Sequence, residues 1–180
     1  MILEIKQYGE PVLRERCKPI EEVTDEVRKL AADMVETMYA ASGVGLAAPQ
    51  VGVARRIAVV DVAHDPECVS FLKVNGVDST LEEIMPLVFI NPEIEFGKNR
   101  EKESEGCLSI HEIRAEVSRP ASITATLPQL DGSVFELETD GLLARALQHE
   151  IDHLNGVLFV DRVSPAAKVR LRGKLKRLLD

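Results

Sequence analysis

The stretch Gln148-His-Glu-Ile-Asp-His153 decides how this sequence is interpreted. Its surroundings have helical periodicity, and we predict one helix from about Gly141 to Asn155. Within that helix His149 and His153 are four residues apart, so their side chains differ by about 40° around the axis and leave the same face. Two imidazoles in this arrangement can bind one metal ion.

Glu150 completes the pattern, which is the His-Glu-x-x-His motif of metal-dependent hydrolases. It is displaced from His153 by about 60° around the helix, close enough to hold a water molecule beside the ion without binding the ion itself. A catalytic site of this kind needs three protein ligands and one open position. Because the motif supplies only two ligands, we predict a hydrolase whose third ligand comes from elsewhere in the chain.

The third ligand has to be sought on either side of the motif. After His153 the sequence contains no His and no Glu, and its only acids are Asp161 and Asp180. Upstream, a cysteine stands in the segment Glu105-Gly-Cys-Leu-Ser-Ile110. A lone cysteine is usually a small buried hydrophobe, but a thiolate here would complete a Cys-His-His set. We therefore predict Cys107 as the third ligand.

Composition limits the function classes. The chain has 180 residues, and we predict a single catalytic domain over residues 1–180. Its net charge of -8, aromatic content of 4% and lack of Trp argue against sequence-specific nucleic-acid binding. No apolar run is long enough for a membrane span, and the N-terminus does not resemble a signal peptide. Three cysteines do not indicate a disulfide framework, so we expect a cytoplasmic protein.

The remaining pattern predicts an α+β fold. An N-terminal helix is predicted over residues 24–42, and a C-terminal helix after Ser164-Pro165. The predicted caps and stops are Thr24 and Gly43 for the first helix, and Asp140 and Gly156 for the central one. The predicted strands cover residues 56–61, 87–92, 113–127 and 133–138. We interpret residues 43–50 as a turn, residues 64–86 as a loop or insertion, and Asp131-Gly132 as a hairpin turn.

Three separated motifs occur in a characteristic order. They are Gly43-Val-Gly-Leu-Ala-Ala-Pro-Gln50, Glu105-Gly-Cys-Leu-Ser109 and Gln148-His-Glu-Ile-Asp-His153. With these motifs, the sequence closely resembles the peptide deformylase family over most of its length. The resemblance implies a central metal-binding helix surrounded by mixed or antiparallel β-sheets, with an N-terminal and a C-terminal helix. It also implies removal of the N-formyl group from the N-terminal formyl-methionine of newly made proteins, with release of formate.

The resemblance assigns roles to individual positions. The implied metal ligands are Cys107, His149 and His153. Glu150 would act as general base and then as general acid. Gln50, through its side-chain amide, and Leu108, through its backbone N–H, would stabilise the oxyanion. Gly45 would offer backbone hydrogen bonds to the peptide, while Val44 and Leu108 would line the pocket for the methionine side chain.

The resemblance also implies one divalent metal ion, natively Fe2+, with Zn2+, Ni2+ or Co2+ as substitutes. A thiolate ligand is compatible with iron or zinc. Glu105, Asp152 and Arg119 flank the motifs and are candidates to orient the imidazoles. The sequence departs from the family at His111, where Pro is usual, which affects the local loop rather than the ligands. Residues 64–86 also look longer than in the shortest members.

The C-terminal residues 165–180 have a charge pattern of their own. Their basic residues are Lys168, Arg170, Arg172, Lys174, Lys176 and Arg177, against one acid, Asp180. An apolar stripe at helical spacing consists of Ala167, Leu171, Leu175 and Leu178. We expect a helix that packs on the body with a solvated basic face. The alternative is electrostatic docking to an anionic surface, which the resemblance identifies as the ribosome near the nascent-chain exit.

Three other functions have less support from the sequence but are compatible with the His-Glu-x-x-His motif. A His-Glu-x-x-His peptidase that cuts internal peptide bonds would need a downstream His or Glu ligand. A deformylase-like binding protein would hold metal without turnover, and the presence of Glu150, Gln50 and Leu108 together argues against it. A structural zinc site would need a fourth ligand, and Cys17 and Cys68 lie outside the motifs.

Overall fold

The computed structural model describes residues 1–180 and confirms the predicted α+β class. The α-helices are α1 (Asp25–Ala40), α2 (Leu81–Ile84), α3 (Gly141–Leu154) and α4 (Pro165–Arg177). The strands are β1 (Gly45–Ala47), β2 (Ile57–Val60), β3 (Leu72–Val74), β4 (Val77–Asp78), β5 (Leu87–Ile90), β6 (Glu93–Phe96), β7 (Arg100–Cys107), β8 (Ile110–Pro120), β9 (Ser122–Pro128) and β10 (Val134–Asp140). Short 3-10 helices occur at Pro11–Arg14, Ala48–Val51, Pro66–Cys68 and Phe159–Asp161. No helix combines the length and apolar character needed to cross a membrane.

The strands form three sheets around α3. One sheet has three strands in the order β1-β2-β5, and another has five in the order β4-β3-β10-β9-β6. Strands β7 and β8 form a separate hairpin. Every pair of adjacent strands is antiparallel. Because α3 follows β10 directly, the chain passes from the five-stranded sheet straight into the helix that carries the His-Glu-x-x-His motif.

The three-stranded sheet is covered on both faces. In β2, Ile57 and Val59 pack in the cluster that contains α1, whereas Ala58 and Val60 pack in the cluster that contains α3. Successive side chains of a strand point to opposite faces. A strand covered on both sides therefore needs apolar residues at every position, as in β2, where all four residues are fully buried.

One face of α3 is apolar and joins the two larger sheets. Its residues in that cluster are Leu143, Ala144, Ala146, Leu147, Ile151 and Leu154. Strands β2, β5, β9 and β10 contribute to the same cluster. The other face of the helix carries His149 and His153 towards the β7–β8 hairpin, so burial of the apolar stripe fixes the direction in which the motif points.

The β7–β8 hairpin belongs to a different apolar cluster. Ile110, Ile113 and Val117 pack there with Phe159 and with residues of α4. No residue of α3 is a member of this cluster. The hairpin and α3 therefore meet through polar side chains.

Helix α4 confirms the packed C-terminal helix that the sequence predicts. The Ser164 hydroxyl caps it by accepting a hydrogen bond from the Ala167 N–H at 3.2 Å. Ala167 and Leu171 are buried in the hairpin cluster, and Leu175 and Leu178 pack against it. All the basic side chains of the helix are exposed.

One strand prediction and one loop prediction need correction. The segment predicted as one strand over residues 113–127 is two strands, because β8 ends at Pro120 and β9 begins at Ser122. They pair with different partners, β8 with β7 and β9 with β10 and β6. The predicted loop over residues 64–86 contains a β3–β4 hairpin and α2, and β3 extends the five-stranded sheet by pairing with β10. These strands are too short to show a clear alternation in the sequence.

The ends of the helices also differ in detail from the predictions. Thr24 caps α1 as predicted, accepting from the Val27 N–H at 3.3 Å, but α1 ends at Ala40, before Gly43. Asp140 makes no side-chain cap for α3. Its carboxylate accepts instead from the Ser70 N–H at 2.8 Å, which ties α3 to the loop before β3. The predicted turn at 43–50 contains β1 and a 3-10 helix.

Candidate metal centre

The donor atoms of Cys107, His149 and His153 converge on one point. Their nearest potential ligand atoms all lie within 4.8 Å of one another. The Nε2 atom of His153 is 3.4 Å from the Cys107 Sγ and 3.3 Å from the Nε2 of His149. The two histidines come from consecutive turns of α3 and the cysteine from the end of β7. Two imidazoles and a thiolate facing one point are donors that suit zinc or iron(II).

The end of β7 is irregular in a way that presents Cys107. The pairing of β7 with β8 shifts register between Glu105 and Cys107. The Ser109 N–H donates to the Cys107 Sγ at 3.4 Å. The N-terminal segment supports this turn, because the Tyr8 N–H donates to the Ser109 carbonyl at 2.7 Å and Gln7 donates to the Leu108 carbonyl at 3.1 Å.

Glu150 is buried beside the convergent donors, and only 4% of its surface is exposed. Its Oε2 atom has no hydrogen-bond partner in the protein. Burial raises the pKa of Glu150 to about 7, although the nearby charges of His149 and Arg119 act in the opposite direction. A buried carboxyl with an unpaired oxygen and a pKa near neutrality can both accept and return a proton.

Gly45 leaves the space that Glu150 occupies. A Cβ atom added at Gly45 would lie 2.5 Å from the Glu150 Oε1 and 2.9 Å from its Cδ. Gly45 belongs to β1, whose register with β2 pairs it with Val60. The second glycine of the first motif therefore permits a close approach between β1 and the carboxylate on α3.

Gln50 is fixed so that its amide N–H groups point at the same region. The Ala47 N–H donates to the Gln50 Oε1 at 2.9 Å, which leaves Nε2 to donate to the Ser109 hydroxyl at 3.2 Å and to approach the Cys107 Sγ at 3.5 Å. Gln50 is 1% exposed. The amide is thus a buried donor held beside the thiol.

A buried ionic network supports His149. Its Nδ1 lies 3.0 Å from the Glu105 Oε1, so its Nε2 is left to face the donor cluster. Arg119 binds Glu105 through two nitrogens, at 2.6 and 3.0 Å, and Asp152 at 2.9 Å. Burial on its own would raise the pKa of Glu105, but the hydrogen bonds from His149 and Arg119 outweigh it and keep the carboxylate ionised. The three residues proposed from the sequence to orient the imidazoles thus share one network.

Two further arginines belong to this network and were not predicted from the sequence. Arg162 binds both oxygens of Asp152, at 2.6 and 2.8 Å, and Arg145 binds the Glu105 Oε2 at 2.7 Å. Arg145 precedes His149 by one helical turn, so its spacing was a usable signal. Arg162 lies beyond the 3-10 helix at 159–161, and nothing in its sequence position indicates the contact.

A cavity of about 460 Å3 opens onto this centre. Seven of the predicted site residues line it: Val44, Gly45, Gln50, Cys107, Leu108, His149 and Glu150. The remaining one, His153, is 1% exposed behind them. His111 is exposed and does not line this cavity, although it borders the neighbouring cleft. The structure therefore brings together all the predicted site residues.

Comparison with known proteins agrees with this arrangement. A family model described as polypeptide deformylase matches residues 2–169. The chain belongs to the peptide deformylase family. It is 42% identical over 179 residues to the peptide deformylase of Acinetobacter baumannii, covering 99% of this chain and 92% of the relative. It is 51% identical over 156 residues to the peptide deformylase of Agrobacterium fabrum, covering 86% of this chain and 83% of the relative.

Solved deformylases have the same fold. The plant peptide deformylase PDF1B superposes with a TM-score of 0.83 at 34% identity, covering 98% of this chain and 88% of that one. The Legionella pneumophila peptide deformylase superposes with a TM-score of 0.80 at 37% identity, covering 98% of this chain and 95% of that one. These matches confirm the predicted family, its fold and its enzyme class, a hydrolase that removes the N-formyl group from newly made proteins.

Proposed function

We propose that residues 1–180 form one deformylase domain in which Cys107, His149 and His153 hold a single divalent metal ion. The convergence of these donors beside the unpaired carboxylate of Glu150 supports this assignment. A peptidase of the same motif would need a third ligand downstream, whereas here the third donor is the thiol of Cys107. The substrate is the N-formyl-methionyl end of a nascent peptide, and the protein acts in the cytoplasm, where translation supplies that substrate.

A divalent ion at these ligands would act as a Lewis acid on the formyl oxygen and would acidify a water molecule. Glu150 takes a proton from the water as it attacks the formyl carbon, and it then delivers that proton to the leaving amine. The amide C–N bond breaks, and formate and a free α-amino group are released. The pKa of Glu150, about 7, suits a group that must both gain and lose a proton near neutral pH.

Negative charge on the formyl oxygen is met by the Gln50 amide and the Leu108 backbone N–H. The Ala47 N–H already fixes the orientation of the Gln50 amide by donating to its Oε1. One such donor typically contributes about 3–4 kcal/mol to transition-state stabilisation. Gly45 offers its backbone to the peptide, and Val44 and Leu108 contact the methionine side chain at the cavity wall.

We propose Fe2+ as the native ion, with Zn2+, Ni2+ and Co2+ as functional substitutes. The soft thiolate and the two imidazoles are compatible with each of these ions. Metal analysis of protein purified without oxygen tests this assignment, because a thiolate beside ferrous iron is prone to oxidation in air. Stoichiometric zinc and no iron in anaerobic preparations would contradict it.

Ribosome contact through α4 is a separate proposal. A groove of about 420 Å3 between α4 and the β7–β8 hairpin is predominantly basic. Its charged lining residues are Lys102, Arg114, Arg162, Arg170 and Lys174, against one acid, Glu116. Such a groove can receive a phosphate backbone, and binding should weaken steeply with salt. Reversing the charge at Arg170 and Lys174 should abolish co-sedimentation with ribosomes. Unchanged co-sedimentation would exclude this surface.

The test of the activity is formate release from formyl-Met-Ala-Ser, with acetyl-Met-Ala-Ser as the control for a less specific amidase. Glu150→Ala should keep the metal and lose at least about 100-fold in kcat. Glu138→Ala, at an exposed position on β10, is the matched control and should behave as wild type. Metal binding without turnover in the wild-type protein would favour the binding-protein alternative, and wild-type turnover in Glu150→Ala would exclude the assigned base.

A further inference from the structure

Arg145 connects α3 to both strands of the β7–β8 hairpin. Its Nη1 donates to the Glu105 Oε2 at 2.7 Å and to the Val117 carbonyl at 2.9 Å. Its Nη2 donates to the Glu101 carbonyl at 2.9 Å. Glu101 and Glu105 belong to β7, and Val117 to β8. The side chain is only 11% exposed, and its hydrogen bonds to Glu105 and Val117 are partly buried, whereas the one to Glu101 lies at the surface.

This contact matters because the donor cluster is divided between the hairpin and the helix. Cys107 lies at the end of β7, while His149 and His153 lie on α3. The apolar residues of the hairpin pack with the segment after α3 and with α4, not with α3 itself. The separation of the thiol from the imidazoles is therefore set by polar contacts across this boundary.

Arg145 and Arg119 make different contacts at the boundary between α3 and the β7–β8 hairpin. Arg119 is itself on the hairpin, and its two hydrogen bonds to Glu105 stay within that hairpin. It reaches α3 through a single hydrogen bond to Asp152. Arg145 starts from α3 and is the only side chain of that helix that binds the backbone of both β7 and β8. Loss of Arg145 would leave Glu105 clamped by Arg119 but would remove three hydrogen bonds between α3 and the hairpin. The contacts that remain across the boundary are Arg119 to Asp152, His149 to Glu105 and Gln148 to the Pro120 carbonyl, so the hairpin would be held less firmly.

We propose that Arg145 is a positioning residue that holds the β7–β8 hairpin at a fixed distance from α3 and so presets the Cys107–His149–His153 site for metal. The inference depends on the proposed metal site. It assigns Arg145 no contact with the substrate or the ion. Its consequence is that metal affinity depends on a residue that is not a ligand.

The test is metal binding without substrate, so that its outcome does not depend on deformylation. Zn2+ affinity is measured by competition with a chromogenic chelator, and the absorption of Co2+-loaded protein reports the thiolate and imidazole ligands. Arg145→Met keeps the stem of the side chain but removes every donor, and we expect about 10-fold weaker Zn2+ binding. We also expect a weaker thiolate-to-cobalt band. Arg145→Lys can restore one hydrogen bond and should be intermediate.

Arg100→Met is the matched control, because Arg100 is exposed and its guanidinium bonds only to Ser118 within the hairpin. It should bind Zn2+ as wild type does. Equal Zn2+ affinity and equal cobalt spectra in wild type and Arg145→Met would overturn the inference. If Arg145→Met does not fold, Arg145→Lys takes its place, and wild-type affinity in that variant would overturn the inference. A wild-type protein that binds no Zn2+ would overturn the proposed metal site and the inference together.

Discussion

Replacing Gly45 by alanine should disable the enzyme through one added methyl group. The Cβ of the new residue would lie 2.5 Å from the Glu150 Oε1 and 2.9 Å from its Cδ and Cγ. The backbone of Gly45 does not have a positive φ, so alanine is not strained there by its own conformation. Strand β1 is buried and paired with β2, so the strand has little freedom to retreat. The carboxylate of Glu150 has to move instead.

The size of the effect follows from that displacement. Ordinary contact begins at 3.4 Å, so Oε1 must withdraw by roughly 0.9 Å. A misplacement of about 1 Å in a reacting group costs on the order of 100-fold in rate. We therefore expect Gly45→Ala to lower kcat by about 100-fold, which corresponds to about 2.7 kcal/mol in activation free energy. Bound metal should remain stoichiometric, because the three ligands do not contact Gly45.

The assay is formate release by four proteins: wild type, Gly45→Ala, Glu150→Ala and the double variant. If the methyl group acts only through Glu150, Gly45→Ala should cost almost nothing when Glu150 is already absent. Gly173→Ala is a control for the same chemical change where there is room, since the nearest atom to its Cβ would be Arg177 Nη2 at 3.9 Å. Near-wild-type kcat in Gly45→Ala, or an equal loss in both backgrounds, would refute the reasoning.

Two further predictions concern stability. Gly141 starts α3 with φ of 56°, and a Cβ there would lie 1.8 Å from the Cys68 carbonyl oxygen. Gly141→Ala should therefore lower the free energy of unfolding, measured in urea, by roughly 2–4 kcal/mol. A loss below about 0.5 kcal/mol would contradict this prediction. Asp161 accepts from Arg14 and the Leu158 N–H, and these bonds outweigh the effect of burial and lower its pKa below 3.8. This stabilisation is present above the unfolded-state pKa and is lost as pH falls through the folded-state pKa. Because the Arg14–Asp161 pair is partly exposed, Asp161→Asn should lower the free energy of unfolding by only about 0.5–1 kcal/mol at pH 7. The difference in stability between the variant and wild type should shrink only below about pH 4. A difference that does not shrink at lower pH would contradict the contribution assigned to Asp161.

Local patterns in the sequence were sufficient for the three long helices, α1, α3 and α4, and for the identity of the donors, but not for the short helix α2. The apolar stripe of α3 fixes which face is buried, and the spacing of His149 and His153 then fixes the direction of both imidazoles. Family resemblance added Gln50 and Leu108, which have no periodic pattern of their own. The short strands β3 and β4 escaped prediction because two or three residues show no measurable alternation.

The tertiary structure decided which residues surround the His-Glu-x-x-His motif and how they affect its hydrogen bonds and pKa values. Sequence order cannot show that Glu105 accepts hydrogen bonds from both Arg119 and Arg145, because these residues lie on three different elements. It also cannot show that burial wins over nearby positive charge at Glu150 and raises its pKa to about 7, because desolvation depends on what the whole chain packs around the group.

The sequence by itself thus determined which donor residues converge, the helix that carries two of them and the family of the protein. Only the tertiary structure decided how far Cys107 stands from His149 and His153, and how much room Gly45 leaves for the Glu150 carboxylate. The physical reason is that periodicity acts within one element, whereas distances between elements result from the packing and hydrogen bonding of residues far apart in the chain.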